Sequence, residues 1–432
     1  MTQSAAPGKR IAFVAGCRTP FAKAGGFLAD ETSLDLARSV LAELVSRAEL
    51  KARALDLVVL GTVVPNVAAA NLAREAALAC GAPASTDAFT VSRACASANQ
   101  AIVSAAEAIA SGQADVVIAG GAESLSNVPI LVSKPLSRAL VAASKAKTLG
   151  NRIKAFRGLK LKDVLPVPPA LAEYSTGLTM GESAEKMAKE NGIGREEQDR
   201  FAARSHELAA AATDDGRLPA EMIRAYQPPR YTTSLQEDDG IRRDTDVASL
   251  AALRPVFDRR YGSLTAGNSS PLTDGAAALL MMREDKAKAE GYQPLGYLRS
   301  YAFAAVDPSE QLLLGPAYST PLALDRAGLT LSDMNLVDLH EAFAAQVLSV
   351  LRAFESETFA REKLNRSPLG TVDEAKLNVE GGSIAIGHPF GATGARITLS
   401  VLNELTRRGG GFGLIGVCAA GGLGASFVVE SE

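Results

Sequence analysis

"VSRACASANQAIVSAAEAIASGQADVVIAGGAE" (residues 91–123) carries a strand end, a lone cysteine, a helix and a second strand in one short stretch. The apolar residues of "ANQAIVSAAEAIASG" recur at helical spacing and stop at Gly112, whereas "ADVVIAGGAE" (114–123) is a short continuous apolar run. Strand, helix and strand in that order make a βαβ unit, with Cys95 at the strand-to-helix junction. The runs "LDLVVLGTVV" (55–64) and "MNLVDLH" (334–340) also alternate with helical patterns, among them "ARITLSVLNELTRRGG" (395–410), which ends in two arginines and glycine. The chain reads as an α/β protein.

A weak internal repeat extends that reading. "SRAELKARALDLVVLG" (46–61) resembles "DRAGLTLSDMNLVDLH" (325–340), the helix after Cys95 falls opposite the helix after "GHPFGATG", and "DVVIAGGAES" falls opposite "LIGVCAAGG". The offset grows across the charged stretch 355–376, which reads as a surface insertion. Between the halves, 125–252 breaks the βα rhythm with "LPVPPALAEYSTG", the helical "REEQDRFAARSHELAAAA" and the polar "QEDDGIRRD", and reads as an inserted loop domain.

Composition bounds the function. At 432 residues and 47% apolar content there is room for two or three domains and a large core. A formal charge of -3 is too small to steer strongly, and no apolar run approaches the roughly 20 residues of a membrane span. Neither nucleic acid nor bilayer insertion is implied. "MTQSAAPGKR" leads into "IAFVAG", too short for a signal-peptide core, so a cytoplasmic protein is expected. Cys17, Cys80, Cys95 and Cys418 share no CxxC or zinc-ligand spacing and do not form a disulfide framework.

Four residues carry the chemistry. Cys95 sits near unpaired N–H groups and the positive end of a helix dipole, which favour thiolate over thiol, although cysteine more often serves as a small buried hydrophobe. Cys17 and Cys80 have no polar partner nearby and read as such hydrophobes. Of three histidines, His206 lies in a polar helix and is expected to be solvated. His388 lies in "GGSIAIGHPFGATGAR" at a helix start, with Pro389 expected in the first turn, and an imidazole there stays neutral, as a general base must. The glycines lack the GxxxxGK[ST] pattern of a phosphate loop. His340 ends "MNLVDLH" and Cys418 ends "GFGLIGV", strand ends of the kind where ligands bind in open α/β sheets.

"VSRACASANQA", "DLHEAFAAQ", "GGSIAIGHPFGATGAR" and "CAAGGLGA" resemble, in order, the four active-site blocks of the thiolase family, and "TMGESAE" (179–185) and "TAGNSSPLTDGAAA" (265–278) resemble two more of its stretches. HEAF, CAAGGLG and the long insert after "GGAES" are most similar to the 3-ketoacyl-CoA thiolase (acetyl-CoA acyltransferase) β subunits of bacterial fatty-acid oxidation complexes. The resemblance implies two pseudo-symmetric βαβαβαββ halves in a layered α/β/α/β/α core, with the loop domain over the coenzyme A site. The implied boundaries are 1–124 with 253–285 for the first half, 125–252 for the insert and 286–432 for the second half.

The resemblance also implies roles. Cys95 attacks the 3-keto carbon after His388 takes its proton, and Cys418 protonates the departing enolate and then deprotonates coenzyme A. His340 and His388 serve the enolate oxygen, while the backbone N–H groups of Cys95 and the turn at Ala420 serve the tetrahedral intermediate. Ser270 is implied as a pantetheine contact and Met180 as a lining of the acyl path, while Thr179 replaces a histidine found in many thiolases. Cofactors and metal are expected to be none, coenzyme A being a substrate. Partners implied are a second copy, as a homodimer or dimer of dimers, and an α subunit carrying hydratase and dehydrogenase activities.

The rivals are an acetoacetyl-CoA-forming biosynthetic thiolase, a ketoacyl synthase-like condensing enzyme, which has no use for Cys418, a silent lipid-binding subunit, and a metal site on the same cysteines and histidines. Finally, "SKPLSRALVAASKAKTLGNRIKAFRGLKLK" (133–162) interleaves lysines and arginines with apolar residues and has no acidic residue. It reads as a docking segment for an α subunit or an anionic membrane face.

Overall fold

The computed structural model describes residues 9–51, 54–167 and 172–432. Its strands are β1 (Ile11–Arg18), β2 (Ala22–Lys23), β3 (Leu57–Gly61), β4 (Asp87–Val91), β5 (Val116–Glu123), β6 (Ala225–Tyr226), β7 (Ser234–Leu235), β8 (Thr273–Arg283), β9 (Gly296–Ala305), β10 (Leu336–Leu339), β11 (Gly411–Ala419) and β12 (Leu423–Ser431). The main sheet runs β10-β11-β12-β9-β1-β8-β5-β3-β4. Its seam is the short antiparallel pairing of β1 with β9, from Ile11 opposite Leu298 to Phe13 opposite Gly296.

Outward from the seam the order is β1, β8, β5, β3 on one side and β9, β12, β11, β10 on the other. The directions match as well. The innermost two pairings of each side are antiparallel, and the next, β5 with β3 and β11 with β10, is parallel. The weak repeat in the sequence is therefore a repeat of topology. β4 has no partner strand in the second half among the described residues. There the charged stretch forms the helix Glu357–Leu364 and an exposed connection, so the drift in offset marks a surface excursion.

Alternation along the central strands divides the apolar side chains into three cores. Val117, Ala119, Leu279, Met281, Ile415, Val417 and Phe427 face a central core with Ile102 and Val103 of the helix Ser97–Ala110 and Ile397, Val401 and Leu405 of the helix Thr393–Arg407. The opposite faces carry Val116, Ile118 and Leu280 toward the helices Ser33–Arg47 and Leu72–Ala79, and Leu414 and Val428 toward Gly315–Ala327 and Ala344–Glu355. Helix, half-sheet, helix, half-sheet and helix thus follow one another as α/β/α/β/α layers. The two helices of the middle layer are buried nearly all round, which places their N-termini inside the protein.

The expected insert over 125–252 is not one body. Val128–Ala172 forms a compact unit by itself, while 173–252 belongs with the remainder of the chain. The reason is burial. The helices Met180–Glu190 and Arg195–Asp214 bury Ala184, Met187, Phe201 and Ala202 in the second outer core. His206, expected in solvent, is buried on the second of these helices, and burial holds it down to about 4 while its Nδ1 accepts from the Arg242 N–H at 3.2 Å.

The Val128–Ala172 unit contains the helices Lys134–Lys145, Leu149–Lys154 and Leu161–Val164. Ser133 Oγ accepts from the Leu136 N–H and donates to the Asp163 carbonyl. Leu140, Val141, Leu149, Ile153 and Leu161 stay exposed.

Arg18, fully buried at the end of β1, is held by both carboxylate oxygens of Asp238 at 2.7 and 2.9 Å and by Glu221 at 3.1 Å. Asp238 also accepts from the Phe21 N–H at 2.7 Å. Removing one partner of a buried pair leaves an uncompensated charge. Asp238→Ala should lower the unfolding free energy by on the order of 3–5 kcal/mol in urea titration, and a change under about 1 kcal/mol would show that Glu221 alone satisfies the guanidinium.

Candidate functional site

The turn after β4 builds the first element of the site. Ala94 has φ 45°, a left-handed value unusual for a residue with a side chain. The Ala96 N–H donates to the Arg93 carbonyl at 3.0 Å and the Ser97 N–H to the Ala94 carbonyl at 3.0 Å, closing the strand-to-helix turn with Cys95 at its apex. Such a conformation persists where the surroundings fix it, as at functional sites.

The second half supplies the partner. His388 Nε2 lies 3.1 Å from Cys95 Sγ. Its Nδ1 lies 2.7 Å from Thr393 Oγ1, and the Thr393 hydroxyl donates to the Pro389 carbonyl at 3.1 Å. With its own proton so committed, Thr393 accepts from Nδ1–H, which leaves Nε2 bare toward the thiol. Pro389 does not enter the helix as expected. The helix starts at Thr393, whose N–H donates to the Pro389 carbonyl at 3.2 Å, so the proline precedes the helix and shapes the turn.

Glu123 holds this turn from below. At the buried end of β5 it accepts from the Val63 and Val64 N–H groups at 2.9 and 3.0 Å, from Thr62 Oγ1 at 3.1 Å and from the Gly391 N–H at 3.0 Å. Burial lifts its carboxyl to about 7 against these donors. Glycine is required beside it, since a Cβ on Gly121 would lie 1.9 Å from the Gly391 carbonyl oxygen.

His340 follows β10, and its ring centroid is 4.1 Å from that of His388. The Cys95 sulfur and one ring nitrogen each of His340 and His388 lie within 4.8 Å of one another. His340 Nδ1 is 3.0 Å from Ser383 Oγ, while His340 Nε2 is buried without a hydrogen-bond partner. The next residue, Glu341, takes hydrogen bonds from Ser205 Oγ, Asn378 Nδ2 and the Ile384 N–H, which ties the loop after β10 to the segment carrying Ser383.

Cys418 is buried near the end of β11, in the apolar cluster against which Met180 packs. The turn that follows has Gly421 and Gly422 at φ 80° and 70°, and the Ala420 N–H, with that of Cys95 itself, acts to lower the Cys95 thiol. Ser270 lies on the segment between the two histidine loops, with its N–H donating to the Ala342 carbonyl at 3.0 Å and the neighbouring Pro271 carbonyl accepting from the His388 N–H at 3.3 Å. The structure thus brings Cys95, His340, His388 and Ala420 together, with Cys95 close enough to Cys418 that its charge would raise the Cys418 thiol.

Electrostatics correct one expectation. A helix start favours thiolate, yet burial pushes the Cys95 thiol up to about 12 against the two N–H groups that lower it. Cys95 is partly accessible as a residue, but its sulfur sits among densely packed groups. Burial, with Arg396 adding, holds His388 down to about 3. Burial also holds His340 well below its ordinary value, with His388 and Arg396 adding, and burial and then Cys95 push Cys418 well above its own. Each of these four shifts favours the neutral form of its group.

Residues 11–285 match the family model "Thiolase, N-terminal domain", and 292–431 match "Thiolase, C-terminal domain". The chain belongs to the thiolase family. It is 56% identical over 426 residues to the 3-ketoacyl-CoA thiolase of Yersinia pestis (strain Pestoides F), covering 98% of each chain, and equally so to that of Yersinia pseudotuberculosis serotype O:1b (strain IP 31758). Among solved structures, the acetyl-CoA acetyltransferase of Bacillus anthracis is similar with TM-score 0.84 and 35% identity over 98% of this chain and 99% of that one. Human mitochondrial 3-ketoacyl-CoA thiolase in complex with CoA is similar with TM-score 0.83 and 34% identity over 98% of each.

The thiolase blocks contain residues whose part the sequence did not disclose. Ser383 and Thr393 lie inside "GGSIAIGHPFGATGAR", but nothing in the string says which histidine each one meets. Glu123 had a signal, since it is a carboxylate closing the otherwise apolar run of β5.

A neutral Cys95 and His388 fix the sign of a pH experiment. With the thiol raised, thiolate forms late, so the ultraviolet thiolate absorbance that wild type shows over Cys95→Ala should be absent at pH 8 and emerge only above about pH 10. A thiolate signal at pH 6 would mean a resting ion pair.

Proposed function

We propose that the chain is a 3-ketoacyl-CoA thiolase, cleaving 3-ketoacyl-CoA with coenzyme A to acetyl-CoA and a shortened acyl-CoA in fatty-acid β-oxidation. The observation that carries this reading is the 3.1 Å approach of His388 Nε2 to Cys95 Sγ, beside a second buried thiol at Cys418.

His388 takes the Cys95 proton at Nε2 as the sulfur attacks the 3-keto carbon. The protonated Nε2–H then faces, together with His340, the thioester oxygen on which the enolate develops. The carbon–carbon bond breaks, the acyl group stays on Cys95 as a thioester, and Cys418 gives its proton to the acetyl-CoA enolate. The resulting Cys418 thiolate takes the thiol proton of coenzyme A, whose sulfur attacks the thioester while the N–H groups of Cys95 and Ala420 receive the oxyanion. The bond from the acyl carbon to the Cys95 sulfur then breaks, and the sulfur takes its proton back from His388. Ser270 and Met180 are assigned to the pantetheine arm and acyl path. No step calls for a cofactor or metal.

Incubation with acyl-CoA should place the acyl group on Cys95 in peptide mapping. Cys418→Ala should keep that acylation while losing at least about 100-fold in thiolysis. Near-normal thiolysis in the variant would remove Cys418 from the reaction and favour condensing-enzyme chemistry.

The cytoplasmic assignment and a homodimer or dimer of dimers belong to the same reading. The edge position of β4, with Phe89 exposed, supports pairing with a second copy. The basic segment 133–162 is assigned to an anionic membrane surface, which its exposed Leu140, Leu149, Ile153 and Leu161 and its unbroken positive charge suit. Changing Lys145, Lys147, Arg152 and Lys154 to glutamate should abolish salt-sensitive binding to phosphatidylserine-containing vesicles while thiolysis of a short substrate stays near wild type. Unchanged vesicle binding with a raised KM for coenzyme A would place the segment at the coenzyme site, and unchanged vesicle binding with lost α-subunit capture would make it a protein interface.

A further inference from the structure

The two active-site histidines have ring nitrogens at similar positions but opposite tasks. His388 must offer a bare Nε2 to a thiol, whereas an oxyanion needs a donor, so His340 must carry its proton on Nε2. A neutral imidazole chooses between the two by the partner of its other nitrogen. The structure contains a different partner for each ring.

Ser383 is fully buried, and its hydroxyl has two neighbours, His340 Nδ1 at 3.0 Å and Arg396 Nη2 at 3.2 Å. Arg396 is also buried, and a guanidinium can only donate. Its N–H therefore occupies a lone pair of Ser383 Oγ. The hydroxyl proton then has one acceptor among the described residues, which is His340 Nδ1. If Nδ1 carried the proton instead, two donors would face the Ser383 oxygen and its own buried proton would have nowhere to go.

We infer that Ser383, polarised by Arg396, is the positioning residue that fixes His340 in the Nε2–H tautomer and so makes it a donor to the substrate oxygen. His340 Nε2 is buried and has no hydrogen-bond partner among the described residues, as expected of a donor reserved for a ligand. Thr393 does the reverse for His388, because its proton goes to the Pro389 carbonyl. One hydroxyl that donates and one that accepts thus set an acid-like and a base-like imidazole side by side. The surroundings support the neutral state this requires: burial, and then the charges of His388 and Arg396, hold His340 low, while the acidic Glu341 next to it is occupied by Ser205, Asn378 and Ile384.

The inference rests on the thiolase reading for its consequence but not for its structure, and the test separates the two. The chain has three histidines, so the imidazole 15N spectrum of histidine-labelled full-length protein is assignable with single His→Asn variants. In wild type, His340 and His206 should be protonated on Nε2 and His388 on Nδ1. Ser383→Ala should shift His340 toward a tautomer mixture and Ser383→Thr should restore it. In kinetics, Ser383→Ala should cut kcat for carbon–carbon cleavage by about 100-fold with KM little changed, while acylation of Cys95 by acyl-CoA, whose oxyanion meets backbone N–H groups, stays near wild type. Equal losses in both half-reactions would mean a merely structural serine and overturn the inference, as would a proton on His340 Nδ1 in wild type. If wild type gives the expected spectrum but no cleavage of 3-ketoacyl-CoA, the tautomer assignment stands and the thiolase reading falls.

Discussion

The hydrogen bond between Cys95 Sγ and His388 Nε2 joins residues 293 positions apart, and the architecture can be understood as what holds that one contact. Each partner stands in the turn that leads into a helix of the middle layer, one helix from each half. Those helices must approach closely, and Gly394 lets them, since a Cβ there would lie 2.1 Å from Asn99 Oδ1. Gly121 and Glu123 then fix the turn behind His388 from the neighbouring strand, by a close approach and by a hydrogen bond. A shift of about 1 Å at such a contact is enough to lose catalytic geometry.

Burial at the meeting point sets the chemistry. Helix N-termini alone would make Cys95 acidic, but a site enclosed between two half-sheets penalises every charge in it, and the desolvation of the thiol outweighs the two N–H groups that face it. The result is that Cys95, Cys418 and the two histidines all favour their neutral forms. In such surroundings the direction of each hydrogen bond decides function, because a ring nitrogen that donates and one that accepts differ by a single proton position.

The division of labour between halves follows the same logic. The first contributes the nucleophile, its backbone N–H and the Glu123 brace, while the second contributes both histidines, Cys418 and the Ala420 N–H. Residues that look like filler in the motifs, Ser383 and Thr393, serve as the hydroxyls that orient the two rings. Taken by itself, the Val128–Ala172 unit leaves apolar side chains and cations exposed.

Hydrophobic periodicity alone made the α/β class readable, because "ANQAIVSAAEAIASG" and "ADVVIAGGAE" can bury their apolar faces only as helix and strand. The repeat and the positions of the four motif residues were equally legible, since glycines, two cysteines and two histidines at the ends of elements are local signals. Three things were not. The extent of the separate unit depended on which faces of the helices Met180–Glu190 and Arg195–Asp214 find a core, and His206 looked polar in sequence yet is buried by that packing. The protonation of Cys95 depended on how much protein surrounds its sulfur. The tautomers of His340 and His388 depended on hydroxyls 43 and 5 residues away whose own proton acceptors come from the folded chain. Local patterns determine which elements form and which reactive groups they carry, but desolvation and hydrogen-bond direction are sums over neighbours from the whole chain, so only the tertiary structure decides them.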